Sequence, residues 1–128
     1  MPAKNNSERP TAADVLSRYN DESLPEFCEL LTDVNQVGTF GNRPLHLACY
    51  RGNIADVIAL VEGGADVNAS GDLGSNPLHE AVAQGHVDVI KYLLERGASP
   101  NLANEFGQTA VGLAVQNGRE DIEKLLTK

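Results

Sequence analysis

Two histidines, His46 and His79, stand 33 residues apart in the related stretches "RPLHLACYRGN" and "NPLHEAVAQGH". Imidazole is the commonest metal ligand and the usual general base near neutral pH, so this pair is the first candidate for chemistry. His86 follows His79 by seven residues in "HEAVAQGH", with Glu80 between them. That spacing does not match H-E-x-x-H, in which two imidazoles one helical turn apart share a zinc ion. The thiols Cys28 and Cys49 lie among apolar residues on expected helices, with no base that the sequence places beside them. Buried, inert, unpaired thiols are expected, as in a reducing compartment. In "REDIEK", Glu120, Asp121 and Glu123 fit the polar side of a helix, and nothing marks one of them for a raised pKa. "GTFGNR" and "SGDLGS" are glycine-rich but lack the lysine and serine of a phosphate-binding loop. No catalytic residue, metal site or cofactor site is expected.

The spacing of the histidines belongs to a larger pattern. Pro44 recurs as Pro77, with Ala110 in the third position, and Leu45, Leu78 and Val111 follow. Ala48, Ala81 and Ala114 keep the same 33-residue phase, as do Gly52, Gly85 and Gly118. So do Leu60, Leu93 and Leu126, the asparagines Asn35, Asn68 and Asn101, and the opening glycines Gly41, Gly74 and Gly107. The first two of these units begin with a proline in the first turn of a helix, where the missing N–H is no loss. A short apolar helix such as "PLHEAVAQ" ends at a glycine suited to a left-handed C-cap. A longer helix follows, "HVDVIKYLLERG", with Val87, Ile90, Leu93 and Leu94 at helical spacing. The next link, "ASPNLANEFGQ", is rich in turn formers. One such pair cannot bury its own apolar face, so neighbouring pairs must stack.

The period, "PLHLA", "PLHEA" and "GGADVNAS" closely resemble the ankyrin repeat, whose signature is T-P-L-H-x-A. Arg43 and Asn76 replace the signature threonine, while "QTAVGLAVQNG" restores it at Thr109 and loses the proline and histidine. The resemblance implies an all-α solenoid of stacked helix-turn-helix units joined by β-turn or hairpin-like linkers. Its expected parts are a disordered tail over residues 1–10 and a degenerate capping repeat over 11–37. Repeats over 38–70 and 71–103 follow, then a C-terminal capping repeat over 104–128. It makes His46, His79, Pro44, Pro77, Gly52, Gly85 and Gly118 scaffold, with the imidazoles bonding backbone and tying repeats together. It gives the three asparagines the closing of a turn by side-chain hydrogen bonds.

The first unit, "TAADVLSRYNDESLPEFCELL", reads as two helices, with a loose capping box at Thr11 and Asp14 and a better one at Ser23 and Glu26. Leu24, Phe27 and Cys28 fall in phase with Val57, Leu60 and Val61. At the other end Glu123 and Thr127 replace apolar residues, as expected where a stack terminates without aggregating. The chain is therefore expected to be a complete small stack.

The 128 residues are 41% hydrophobic and 22% charged, within the range of an ordinary globular domain. No run approaches the ~20 apolar residues of a membrane span, and "MPAKNNSERP" lacks the apolar stretch of a secretory signal, so a cytoplasmic protein is expected. A net charge of −8 argues against nucleic acid and suits a basic protein partner.

What remains is surface. In the family that the chain resembles, partners bind the linker tips and the short helices. The tip positions here are Thr39, Phe40 and Asn42, then Asp72, Leu73 and Ser75, then Glu105, Phe106 and Gln108; the short helices end near Tyr50, Arg51, Gln84 and Asn117. Phe40, Leu73 and Phe106 form one column, expected either as an exposed apolar ridge with Tyr50 beside it and Asp72 and Glu105 at its rim, or folded back onto the linkers. A second candidate is the acidic N-terminal side, Asp14, Asp21, Glu22, Glu26, Glu29 and Asp33, which could steer a basic partner or serve only as a solvated face. The expected function is a non-catalytic protein–protein interaction module, monomeric when free, acting as an adaptor or inhibitor. A bacterial immunity or antitoxin-type inhibitor and a structural or oligomerising scaffold are the alternatives.

Overall fold

Seven α-helices and one 3-10 turn, with no β-strand, organise the residues described by the computed structural model, 9–127. They are α1 (Ala12–Asp21), α2 (Pro44–Arg51), α3 (Ile54–Glu62), α4 (Pro77–Gln84), α5 (Val87–Glu95), α6 (Ala110–Gln116) and α7 (Glu120–Leu126), with the 3-10 turn at Asp72–Gly74. The expected tail falls outside the described residues as far as residue 8; Arg9 comes within 3.6 Å of Glu62 on α3.

Three helix pairs, α2–α3, α4–α5 and α6–α7, follow at the repeat spacing. The short helices α2, α4 and α6 pack on one another in one layer, and α3, α5 and α7 stack in a second. Pro44 and Pro77 occupy the first turn of their helices, and Gly52 and Gly85 end them with φ of 76° and 75°. At Gly52 space is also decisive: a Cβ there would lie 2.5 Å from the His86 ring. The His86 Nε2–H donates to the Tyr50 carbonyl at 3.0 Å, tying one helix pair to the previous one. Between the layers, Leu45, Leu60, Leu78, Ile90, Leu93 and Ile122 are fully buried. Each such side chain contributes about 1.5–3 kcal/mol of hydrophobic burial, which no single pair could achieve alone.

The N-terminal unit differs from the expected two helices. Thr11 and Asp14 do form a reciprocal capping box on α1, at 3.0 and 3.2 Å. The box expected at Ser23 and Glu26 is absent, and residues 22–37 run in turns and bends. Ser23 takes a φ of 53°, and Leu24 precedes Pro25, a position that steric contact with the proline ring steers away from helix. The Glu26 carboxylate instead accepts the N–H groups of Phe40 and Asn42. Phe27 is buried as its phase implies, whereas Cys28, expected to be buried on a helix, is exposed in irregular chain. Helix α1 packs against α3, in the layer of the longer helices.

An ion pair holds that contact together. Asp56 on α3 is 2% exposed and sits in the column that Val89 and Ile122 fill with fully buried apolar side chains. Arg18 of α1 donates to both of its oxygens, one at 3.2 Å, and the Tyr19 hydroxyl donates to Asp56 Oδ2 at 3.3 Å. Burial, followed by the Asp56 charge, pushes the Tyr19 phenol well above its ordinary range, so the hydroxyl stays a donor. At the far end Ile122 and Leu126 are buried, Glu123 is half-buried and Thr127 is exposed.

Candidate interaction surface

The histidines that open the sequence are engaged on both nitrogens. His46 Nδ1 accepts the Arg43 N–H at 2.9 Å, and its Nε2–H is shared between the carbonyls of Ala69 (3.0 Å) and Ser75 (3.1 Å). His79 repeats this, accepting from the Asn76 N–H at 2.9 Å and donating to the Gln108 carbonyl at 3.0 Å. These partners fix one neutral tautomer, with the proton on Nε2. Burial pushes both imidazoles below their ordinary 6.5, against backbone acceptors that pull the other way. Neither ring has a lone pair left for a metal or a substrate proton. The signature hydroxyl that Arg43 and Asn76 lack is replaced in one case only: Asn76 Oδ1 accepts the His79 N–H at 2.8 Å, and Arg43 supplies no side-chain cap. At Thr109 the hydroxyl does cap, accepting the Gly112 N–H at 3.0 Å.

Cys49 is buried, and desolvation pushes its thiol far above the usual range. Among the described residues no group of three His, Cys, Asp or Glu side chains comes together so as to hold a metal ion.

The linker tips are tight turns closed at their bases. The Gly38 N–H donates to the Asn42 carbonyl at 2.7 Å, Gly71 to Ser75 at 2.7 Å, and Asn104 to Gln108 at 2.9 Å. Neighbouring tips are tied as well: Asn42 Oδ1 accepts the Asp72 N–H at 2.9 Å, and the Leu73 carbonyl accepts the Glu105 N–H at 3.0 Å. On this frame Phe40, Leu73 and Phe106 are 58%, 50% and 68% exposed, and Tyr50 on α2 is 52% exposed. Thr39, Asp72 and Glu105 are exposed at the same tips, and Gln84 and Asn117 at the ends of the short helices. Leu73 is held at a φ of 56°, where a branched side chain is strained.

Other candidate residues are engaged inside the molecule, by side chain or backbone. Asn42 serves the next tip, as above, and Gln108 bonds Asn104 and Gln116. Ser75 supplies its carbonyl to His46 and to the base of its own tip. Arg51 pairs with Glu22 at 2.7 Å and lies over the Tyr19 ring, 5.6 Å from its centre. The acidic N-terminal side is similarly committed: Asp14 caps α1, Glu22 holds Arg51, Glu26 holds the first tip, and Asp33 accepts the Asn35 N–H. Asn35 and Asn68, expected to close their own turns, reach the next repeat. Asn35 bonds Gly64 and Asp66, and Asn68 bonds Gly97 and Ser99. The 33-residue offset places the same backbone opposite each side chain, so an inter-repeat clamp replaces a local turn.

Behind the ridge lies a groove of about 360 Å³ between the first two tips and the short helices, lined in part by Glu26, Leu47, Tyr50, Asp72, Leu73 and Glu80. Sequence reading does not place Leu47 or Glu80 here, although Glu80 carries a signal: its column reads Leu47, Glu80, Leu113, one acid between two leucines.

The family model for ankyrin repeats (3 copies) matches residues 15–104 and again 72–128. No curated protein matches the chain.

Proposed function

The chain belongs to the ankyrin-repeat family, whose repeats mediate protein–protein interaction, and we propose that it is a non-catalytic module that binds a basic protein partner through its tip ridge. It acts there as an adaptor or inhibitor. The observation that carries this reading is the column Phe40, Leu73 and Phe106, half or more exposed on tips that hydrogen bonds hold rigid. Large apolar side chains fixed in solvent gain on being covered, and a rigid frame loses little ordering entropy on binding. Asp72 and Glu105 beside the ridge and the net charge of −8 favour a cationic partner and speed its approach. Two unpaired thiols, one of them exposed, fit a reducing compartment such as the cytoplasm. The polar end at Glu123 and Thr127 favours a monomer. Among the described residues, no helix is long and apolar enough to cross a membrane.

The test is affinity capture from the native lysate, comparing wild type with the triple variant Phe40→Asp, Leu73→Asp, Phe106→Asp. Circular dichroism establishes that the variant folds. A specific prey lost by the folded variant is the expected result. Retention of the same prey would move the interface elsewhere.

A further inference from the structure

Glu80 is out of place in its column. Leu47 and Leu113 hold the equivalent positions on α2 and α6, and all three are half-buried on the same side of the short-helix layer. The fold therefore has no need of a carboxylate here. Among the described residues that carboxylate has no hydrogen-bond or ion-pair partner, unlike the carboxylate of Glu26 beside it. Burial, and after it the charge of Asp72, push the Glu80 carboxyl above its ordinary 4.5. A charge kept partly out of water and beside another of the same sign is a standing cost to the free protein.

The surroundings say what would relieve it. Among the described residues no lysine or arginine lines the groove, and its one imidazole, His46, is held neutral by bonds to both nitrogens. Tyr50 and Leu73 form an exposed apolar flank, with Leu47 half-buried on α2 beside them. A long aliphatic stem ending in a cation matches that combination, because lysine and arginine lay their methylenes on apolar surface while the head seeks charge. The carboxylates do not converge closely enough for a metal ion.

We infer that this groove receives one arginine or lysine side chain of the protein partner, Glu80 taking the cationic head between Asp72 and Glu26 while Leu47, Tyr50 and Leu73 cover the stem. The inference rests on the proposed use of this face for partner binding, and it names the anchoring contact there.

The test selects binders from a random dodecapeptide display library on the wild-type protein, then measures the best peptide by calorimetry. One basic position should recur among the selected sequences. Replacing that residue by citrulline (for arginine) or norleucine (for lysine) should weaken binding roughly tenfold or more, as expected for a lost hydrogen bond to a charged group. Against Glu80→Gln the same replacement should cost almost nothing. Glu80→Leu, which restores the residue of its column, is the second variant and should fold with an equal or higher melting temperature. A replacement that costs the same in Glu80→Gln as in wild type overturns the inference, and so does a selection with no recurrent basic position or no enrichment. If peptides without a basic position lose binding to the Phe40, Leu73, Phe106 triple variant, the groove inference fails while the ridge reading stands. If selected peptides bind that variant unchanged, the ridge reading itself fails.

Discussion

His46 and His79 show how a residue suited to chemistry is consumed by structure. Each satisfies one N–H at its own helix start and at least one carbonyl in the linker that follows. His46→Ala or His79→Ala should each cost about 1–3 kcal/mol by stranding those buried groups, read as a lower melting temperature with no loss of helix at 20 °C or so. Because burial depresses both imidazoles below 6.5, the unfolded chain takes up protons first as the pH falls. Their contribution is whole above about 6.5 and is lost as the pH drops towards the depressed folded values. Proton NMR of the two rings should show midpoints below 6.5, and ordinary midpoints would show that the rings are not desolvated. Leu73 carries the opposite sign. At a φ of 56° its side chain is strained, so Leu73→Asn, which tolerates that conformation, should stabilise the fold by about 1 kcal/mol in urea unfolding.

Helix α1 adds a buried polar contact to its apolar packing through Val15, Leu16 and Tyr19. Asp56 interrupts an apolar column, and α1 answers it with Arg18 and Tyr19. Asp56→Ala removes the acceptor, leaves the buried Tyr19 hydroxyl unpaired and opens a cavity, at an expected cost of about 2–4 kcal/mol. Combining Asp56→Val, the residue its column carries at Val89, with Arg18→Met and Tyr19→Phe should recover most of that loss in the same chemical-denaturation measurement. Failure to recover would mean that the ion pair itself, and not apolar packing at that point, joins α1 to α3. The irregular stretch after α1 follows from Pro25 and from Glu26 being drawn to the first tip.

Across the whole molecule, a stack of this kind has stability distributed by neighbours. Helices α4 and α5 have a helix pair on either side, whereas among the described residues α7 packs against α5 and α6 on one side only and is followed by the exposed Thr127. Hydrogen exchange should therefore be slowest in α4 and α5 and fastest in α7, with α1 intermediate because of its ion pair. Uniform protection would instead indicate that the stack opens only as one unit. The same one-dimensional frame sets the tips in a row, so three side chains 33 residues apart share one ridge.

By itself the sequence determined the helix pairs and their stacking, and its resemblance to the family implied the scaffold roles of Pro44, Pro77, His46, His79, Gly52 and Gly85. Those features repeat at one period, and the contacts they make are either local or to the same point of the next unit. The ridge column was legible for the same reason, but not its exposure, since a side chain at a turn can point out or fold back with no change in spacing. Tertiary structure decided what has no periodic signature. It committed Arg51, Asn42, Gln108 and most of the acidic N-terminal side to internal bonds, exposed Cys28, and left α1 without its expected second helix. It also brought Glu80, Asp72 and Glu26 around one groove. These outcomes depend on which groups from different units meet in three dimensions, and that competition for partners is settled only when the layers pack.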